Sequence, residues 1–320
     1  MQRTTISRSQ HAAVSKLKKR TVLLALTMLC AVCASAQEMS AHHHMELDSS
    51  MQSNTQQRQD WARARLAKSP RHQEWVDVKY GNRTLKSFVV YPEAKNKVTA
   101  VVVIHEIFGM SDWVQALTDE LAEAGYIAIA PDLLSGMAPN GGGTDELAAS
   151  NGVGQAIAKL PPDQITADLN AVADYVSRLP AANGKVAVAG FCWGGSESFR
   201  FATNRPGLKA AFVFYGTAPS NNNMIDKAAL QKIKPPVYGF YAGNDMRVDA
   251  TVPGTTEAMK ELNKTYEPVT YEGAGHGFMR AGDAPEPRLD ASQQVRDSYA
   301  ANKKARDDAW VRWKQILKKL

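Results

Sequence analysis

Gly190-Phe191-Cys192-Trp193-Gly194-Gly195 puts a cysteine at the centre of a G-x-C-x-G turn. The residues before it (Val186, Ala187, Val188, Ala189) are small and β-prone, and Ser196 lies at the mouth of a helical stretch. A strand that turns sharply into a helix at such a pattern holds its central residue in a strained conformation as a nucleophile. Glycines two positions to either side let strand and helix pass closely. The helix N-terminus adds partial positive charge, which favours thiolate over thiol. The chemistry on offer is attack by Cys192 on a carbonyl carbon. The plain alternative is a small core cysteine in a glycine turn.

A free thiol with a pKa near 8.5 is only a few per cent ionised at neutral pH, so it needs a base. Behind an elbow nucleophile the acid and then the histidine follow in chain order. His276, in Gly275-His276-Gly277-Phe278 after the last expected strand, is the histidine so placed; His72 and His105 lie too early in the chain. Asp245, in Ala242-Gly243-Asn244-Asp245 after another expected strand, is the matching acid, with Asp249 and Glu272 as fallbacks. In these roles His276 would take and return the thiol proton while Asp245 holds its tautomer. An oxyanion needs two fixed donors. The N–H of Trp193 is one, and the N–H of Ile107, in the loop after an early strand, is the other.

These residues need a frame. Residues 74–80 and 84–91 alternate as a hairpin around Gly81-Asn82, and 99–104 (TAVVVI) reads as a strand buried on both faces. Residues 113–124 carry apolar side chains at helical spacing and end at Gly125. Strand 126–130, helix 165–179, the elbow strand, strands 208–215 and 236–241, helix 255–262, strand 266–271 and a long helix over 290–320 follow. Trp310, Trp313 and Leu317 would dock that last helix. Alternating strands and helices imply an α/β fold with a mostly parallel sheet covered on both faces. Residues 135–162, with Gly141-Gly142-Gly143, Pro139, Pro161 and Pro162, interrupt the alternation and are expected to cover the substrate.

The first 36 residues stand apart. Lys16, Lys18, Lys19 and Arg20 precede an apolar run, and Ala34-Ser35-Ala36 offers a cleavage site, so residues 1–36 read as a signal peptide cut after Ala36. The run is short for a membrane span, and no stable membrane insertion is expected after cleavage. The chain carries a net charge of +6, and the leader holds six basic residues and no acidic one, so the mature chain is neutral. The basic balance thus marks targeting and gives no support to a nucleic-acid partner. Cys30 and Cys33 leave with the leader, so Cys192 becomes the sole thiol of a secreted or periplasmic protein. Residues 37–70 read as a polar spacer in which 61–67 could form a short helix packing Trp61 and Leu66. A metal role for His42-His43-His44 is the weaker reading of that run, and no metal or other cofactor is assigned. One catalytic domain spans 71–320, expected as a monomer.

His105-Glu106-Ile107-Phe108-Gly109, Pro131-Asp132-Leu133, the Cys192 turn and Gly275-His276-Gly277-Phe278 together resemble the dienelactone hydrolase family of α/β-hydrolases. The resemblance implies a cofactor-free thiol hydrolase acting on a small-molecule ester or lactone. It also implies that Glu106 contacts the thiol at rest and helps to generate the thiolate once substrate displaces it. Arg280 matches one of two arginines with which members of that family grip a substrate carboxylate. The second has no counterpart, since no arginine occurs between Arg83 and Arg178, and Lys159 could serve as a point charge instead. Other readings of the same residues are an acyltransferase, a thiol peptidase, or a lapsed hydrolase that only binds.

Overall fold

The computed structural model describes residues 60–222 and 224–320. The leader and the His42–His44 run lie outside the described residues. Helix α1 (Asp60–Lys68) comes first, followed by strands β1 (Gln73–Tyr80), β2 (Arg83–Val90) and β3 (Val98–Ile104). Then come helix α2 (Asp112–Glu123), β4 (Ile127–Pro131), the short helices α3 (Thr144–Ala149) and α4 (Val153–Ala158), and α5 (Pro162–Ser177). Strand β5 (Ala182–Phe191) enters α6 (Trp193–Asn204) and is followed by β6 (Ala211–Phe214). A small hairpin, β7 (Ser220–Asn221) and β8 (Met224–Ile225), precedes α7 (Lys227–Gln231) and β9 (Val237–Ala242). Helices α8 (Met246–Asp249) and α9 (Val252–Glu261), strand β10 (Tyr266–Tyr271), a 3₁₀ turn over Phe278–Ala281 and α10 (Gln293–Leu317) complete the chain.

Eight strands form one sheet in the order β1-β2-β4-β3-β5-β6-β9-β10. β2 runs antiparallel to β1 and β4, and every later pair is parallel. The period-two geometry of a strand decides which residues meet which layer of helices. In β5, Val186 and Val188 join one core, with Leu169, Val172 and Phe199 of α5 and α6. Ala187, Ala189 and Phe191 join the other, with Val114, Leu117 and Leu121 of α2 and Trp313 and Leu317 of α10. Central strands with apolar residues on both faces are the pattern of a covered parallel sheet, the α/β architecture expected from the sequence. Two buried carboxylates tie outlying elements to it. Asp119 of α2 takes Arg71, and Asp168 of α5 takes Arg83 of β2.

Two segments differ from the sequence expectation. α1 packs Ala62 fully inside and sets Trp61 and Leu66 against the core on the α2 side. The compact unit runs Gln59–Leu320, so a domain boundary at 71 cuts off a helix that belongs to it. The short helix and its packing of Trp61 and Leu66 agree with the sequence reading; only its assignment to the spacer differs, because a polar helix with one narrow apolar face reads like a linker. Residues 135–162, expected as a substrate cover, contribute to the core. Leu147, Ala156, Ile157 and Leu160 are buried in the core on the α5 side. The segment is anchored at Asp132, which accepts from the Thr144 N–H and hydroxyl, each at 2.8 Å. Thr144 Oγ1 in turn accepts from the Met110 N–H at 3.0 Å, so the insertion holds the loop after β3.

Candidate active site

Cys192 sits between β5 and α6 with φ 56° and ψ −118°, a left-handed conformation that costs a residue with a Cβ on the order of 1–3 kcal/mol. Its N–H donates to the Phe214 carbonyl at 3.0 Å, while its own carbonyl accepts from Gly195 and Ser196 at 3.0 and 3.2 Å. A Cβ on Gly190 would lie 1.8 Å from the Gly194 carbonyl oxygen, and one on Gly194 would lie 2.3 Å from that of His105. Backbone meets backbone at both points, so only glycine fits.

Asp245 lies in the turn after β9 and caps α8, accepting from the Val248 N–H at 3.3 Å. Its other oxygen receives His276 Nδ1 at 2.5 Å, which places the histidine proton on Nδ1 and leaves Nε2 as the basic nitrogen. Tyr215, after β6, packs edge-on against His276 with ring centroids 5.0 Å apart. No hydrogen bond joins Cys192 to His276 among the described residues; the thiol has other neighbours.

Those neighbours are charged. Burial pushes the Cys192 thiol up to about 11, and Glu106 pushes the same way, while the Trp193 N–H, Arg280 and Arg247 pull it down. Glu106 is 2 % exposed. One carboxylate oxygen accepts from Arg280 Nη1 at 3.2 Å, and the other is buried without a partner. Arg280 also lies over the Phe108 ring, 5.4 Å from its centroid. The buried Tyr215 hydroxyl has its ionisation pushed well up, by burial first and by Glu106 next.

A tight turn closed by the Gly109 N–H on the Glu106 carbonyl (3.1 Å) carries Ile107 at its tip. The Ile107 N–H has no acceptor among the described residues. His105 is fully buried, donates from Nδ1 to the Glu106 carbonyl at 2.8 Å and stacks on Trp193 at 5.5 Å. Burial lowers its pKa, so it is a neutral wedge between the two candidate oxyanion donors.

Cys192, Glu106, Trp193 and Arg280 therefore converge, and Asp245 and His276 form a pair beside them against Tyr215. Lys159 caps α4 at the surface and makes no contact with these residues. Sequence reasoning overlooked Arg247 and Tyr215, and it set His105 aside as a base without assigning its stacking on Trp193. Arg247 lies two residues beyond Asp245 on α8, exposed and unpaired among the described residues. Its closeness to the acid in the chain was the available signal. Tyr215 had none, because its role depends on the β6–β9 adjacency.

The profile of the dienelactone hydrolase family matches residues 85–320. The chain belongs to the dienelactone hydrolase family. A relative from Saccharolobus solfataricus, provisionally named carboxymethylenebutenolidase, is 31% identical over 74% of this chain and 94% of its own. One of the same name from Yersinia pestis is 33% identical over 56% of this chain and 67% of its own. A structure from Klebsiella pneumoniae, provisionally titled a dienelactone hydrolase, superposes with a TM-score of 0.64 at 25% identity, covering 78% of this chain and 99% of its own. This dienelactone hydrolase family member is a carboxylic ester or lactone hydrolase.

Proposed function

We propose that the protein is an exported hydrolase that cleaves carboxylic esters or lactones through an acyl-thioester on Cys192. The observation that carries this reading is the 2.5 Å Asp245–His276 pair, set beside a strained elbow cysteine. Cys192 waits as a thiol, kept neutral by burial and Glu106. On binding of the ester carbonyl, the thiol proton passes to His276 Nε2, by way of Glu106 where the thiol faces that side. The sulfur attacks the carbonyl carbon, and the N–H groups of Ile107 and Trp193 receive the oxyanion. Collapse breaks the ester C–O bond, and His276 protonates the leaving alkoxide. Water then gives a proton to His276 Nε2 as its oxygen attacks the thioester carbon, the C–S bond breaks, and the thiolate recovers the proton.

Arg280 and Arg247 favour an acyl or alcohol part bearing negative charge, with exposed Ile107 and Met246 offering apolar contact beside them. Among the described residues no helix is long and apolar enough to cross a membrane. Export rests on the leader alone, and N-terminal sequencing of the secreted chain should begin at Gln37.

The test is hydrolysis of a short activated ester by the chain from Gln37, beside Cys192→Ala. Activity in the first and its loss by about 10³-fold or more in the second is the expected result. Equal activity in both would overturn the cysteine mechanism.

A further inference from the structure

Helix α1 lies outside the residues 85–320 that the family profile matches, yet it touches the segment that carries His276 and Arg280. We propose that α1 is a positioning element of the active site, clamping Gly282-Asp283 and thereby holding Arg280 against Glu106 beside Cys192. The proposal rests on Cys192 being the nucleophile.

Two side chains make the clamp. Arg65 reaches Asp283 with one guanidinium nitrogen and Glu123 of α2 with the other, and Glu120 of α2 stands 4.0 Å away. Trp61 lies against Gly282, where φ is 28° and an added Cβ would sit 2.5 Å from the ring. Gly282 is separated from Arg280 by Ala281 alone. The 3₁₀ turn that carries Arg280 and ends at Gly282 is pinned, with the Arg280 N–H bonded to the Gly277 carbonyl at 2.9 Å and Phe278 and Met279 each 1 % exposed. A shift at Gly282 therefore reaches Arg280 with little to absorb it.

The chemistry follows from the groups around the thiol. Glu106 opposes its ionisation, whereas Arg280, Arg247 and the Trp193 N–H favour it. Tyr215 packs there as a neutral phenol and His276 adjoins it. Withdrawing Arg280 removes one cation and also frees the Glu106 charge, so both changes make the thiol harder to ionise.

Cys192 alkylation by iodoacetamide, followed against pH on the chain from Gln37, reads this directly and needs no turnover. Trp61→Ala and Arg65→Met should raise the midpoint by about half a pH unit or more and lower kcat/KM in parallel. Two controls lie on the same helix. Arg63→Ala cuts only the exposed pair with Asp112 of α2, and Leu66→Ala removes core packing. Both should lower the unfolding temperature with the midpoint unmoved. An unchanged midpoint in Trp61→Ala and Arg65→Met would make α1 a merely stabilising element and overturn the proposal. An equal rise in all four variants would overturn it too, as general loosening. Should Cys192→Ala retain activity, the hydrolytic mechanism fails while the midpoints still report on the clamp.

Discussion

Glu106 is the residue on which the state of the thiol turns. It is buried, half of its carboxylate is bonded to Arg280, and its charge raises the Cys192 pKa in addition to burial. Glu106→Gln removes a nearby anion and releases Arg280 as a free cation, and both favour thiolate. The alkylation midpoint of the resting enzyme should then fall from about 11 by about one unit, with about ten-fold faster labelling at pH 8. Slower labelling in the variant would mean that Glu106 acts as a base toward the thiol even without substrate. The Asp245–His276 pairing and the elbow position of Cys192 were readable because chain order and strand ends carry them. Arg247 offered only its nearness to Asp245 in the chain, since its bearing on Cys192 comes from two loops meeting above separate strands.

At the scale of elements, the elbow depends on the contact between α6 and β3. Gly194→Ala would drive a methyl group into the carbonyl oxygens of Ile104 and His105, at 2.5 and 2.3 Å, neither of which can rotate away. The substitution should cost about 3 kcal/mol or more, at the upper end of overpacking effects, read as a lowered urea midpoint. The strand–turn–helix pattern was legible from Val186–Gly195 because its glycines have a steric cause. The docking of α3 and α4 was less so. Leu147, Ile157 and Leu160 advertise burial, but the core they join is assembled from residues far apart in the chain, β1, β3, β4 and α5 among them.

The whole molecule is knit beneath the site by aromatic rings. Phe191, next to the nucleophile, stacks on Phe214 at 4.5 Å, Phe214 on Phe240 at 4.2 Å, and Trp313 of α10 meets Phe214 edge-on at 4.9 Å. Three strand ends that carry Cys192, Tyr215 and Asp245 thus share one support. Trp313→Ala should cost about 3–5 kcal/mol, seen in thermal unfolding, with a fall in kcat that Trp310→Ala, on the partly buried face, does not match. The opposite end of the sheet has a practical bearing. Lys185 Nζ bonds the Leu320 carbonyl at 2.5 Å, near the start of the strand that ends before Cys192. At about 3.3 Å per residue, some 20 Å of β5 separates that point from the nucleophile. A tether joined at Leu320 would fasten the protein by its base, leaving the reactive mouth turned toward the solution and free to receive substrate.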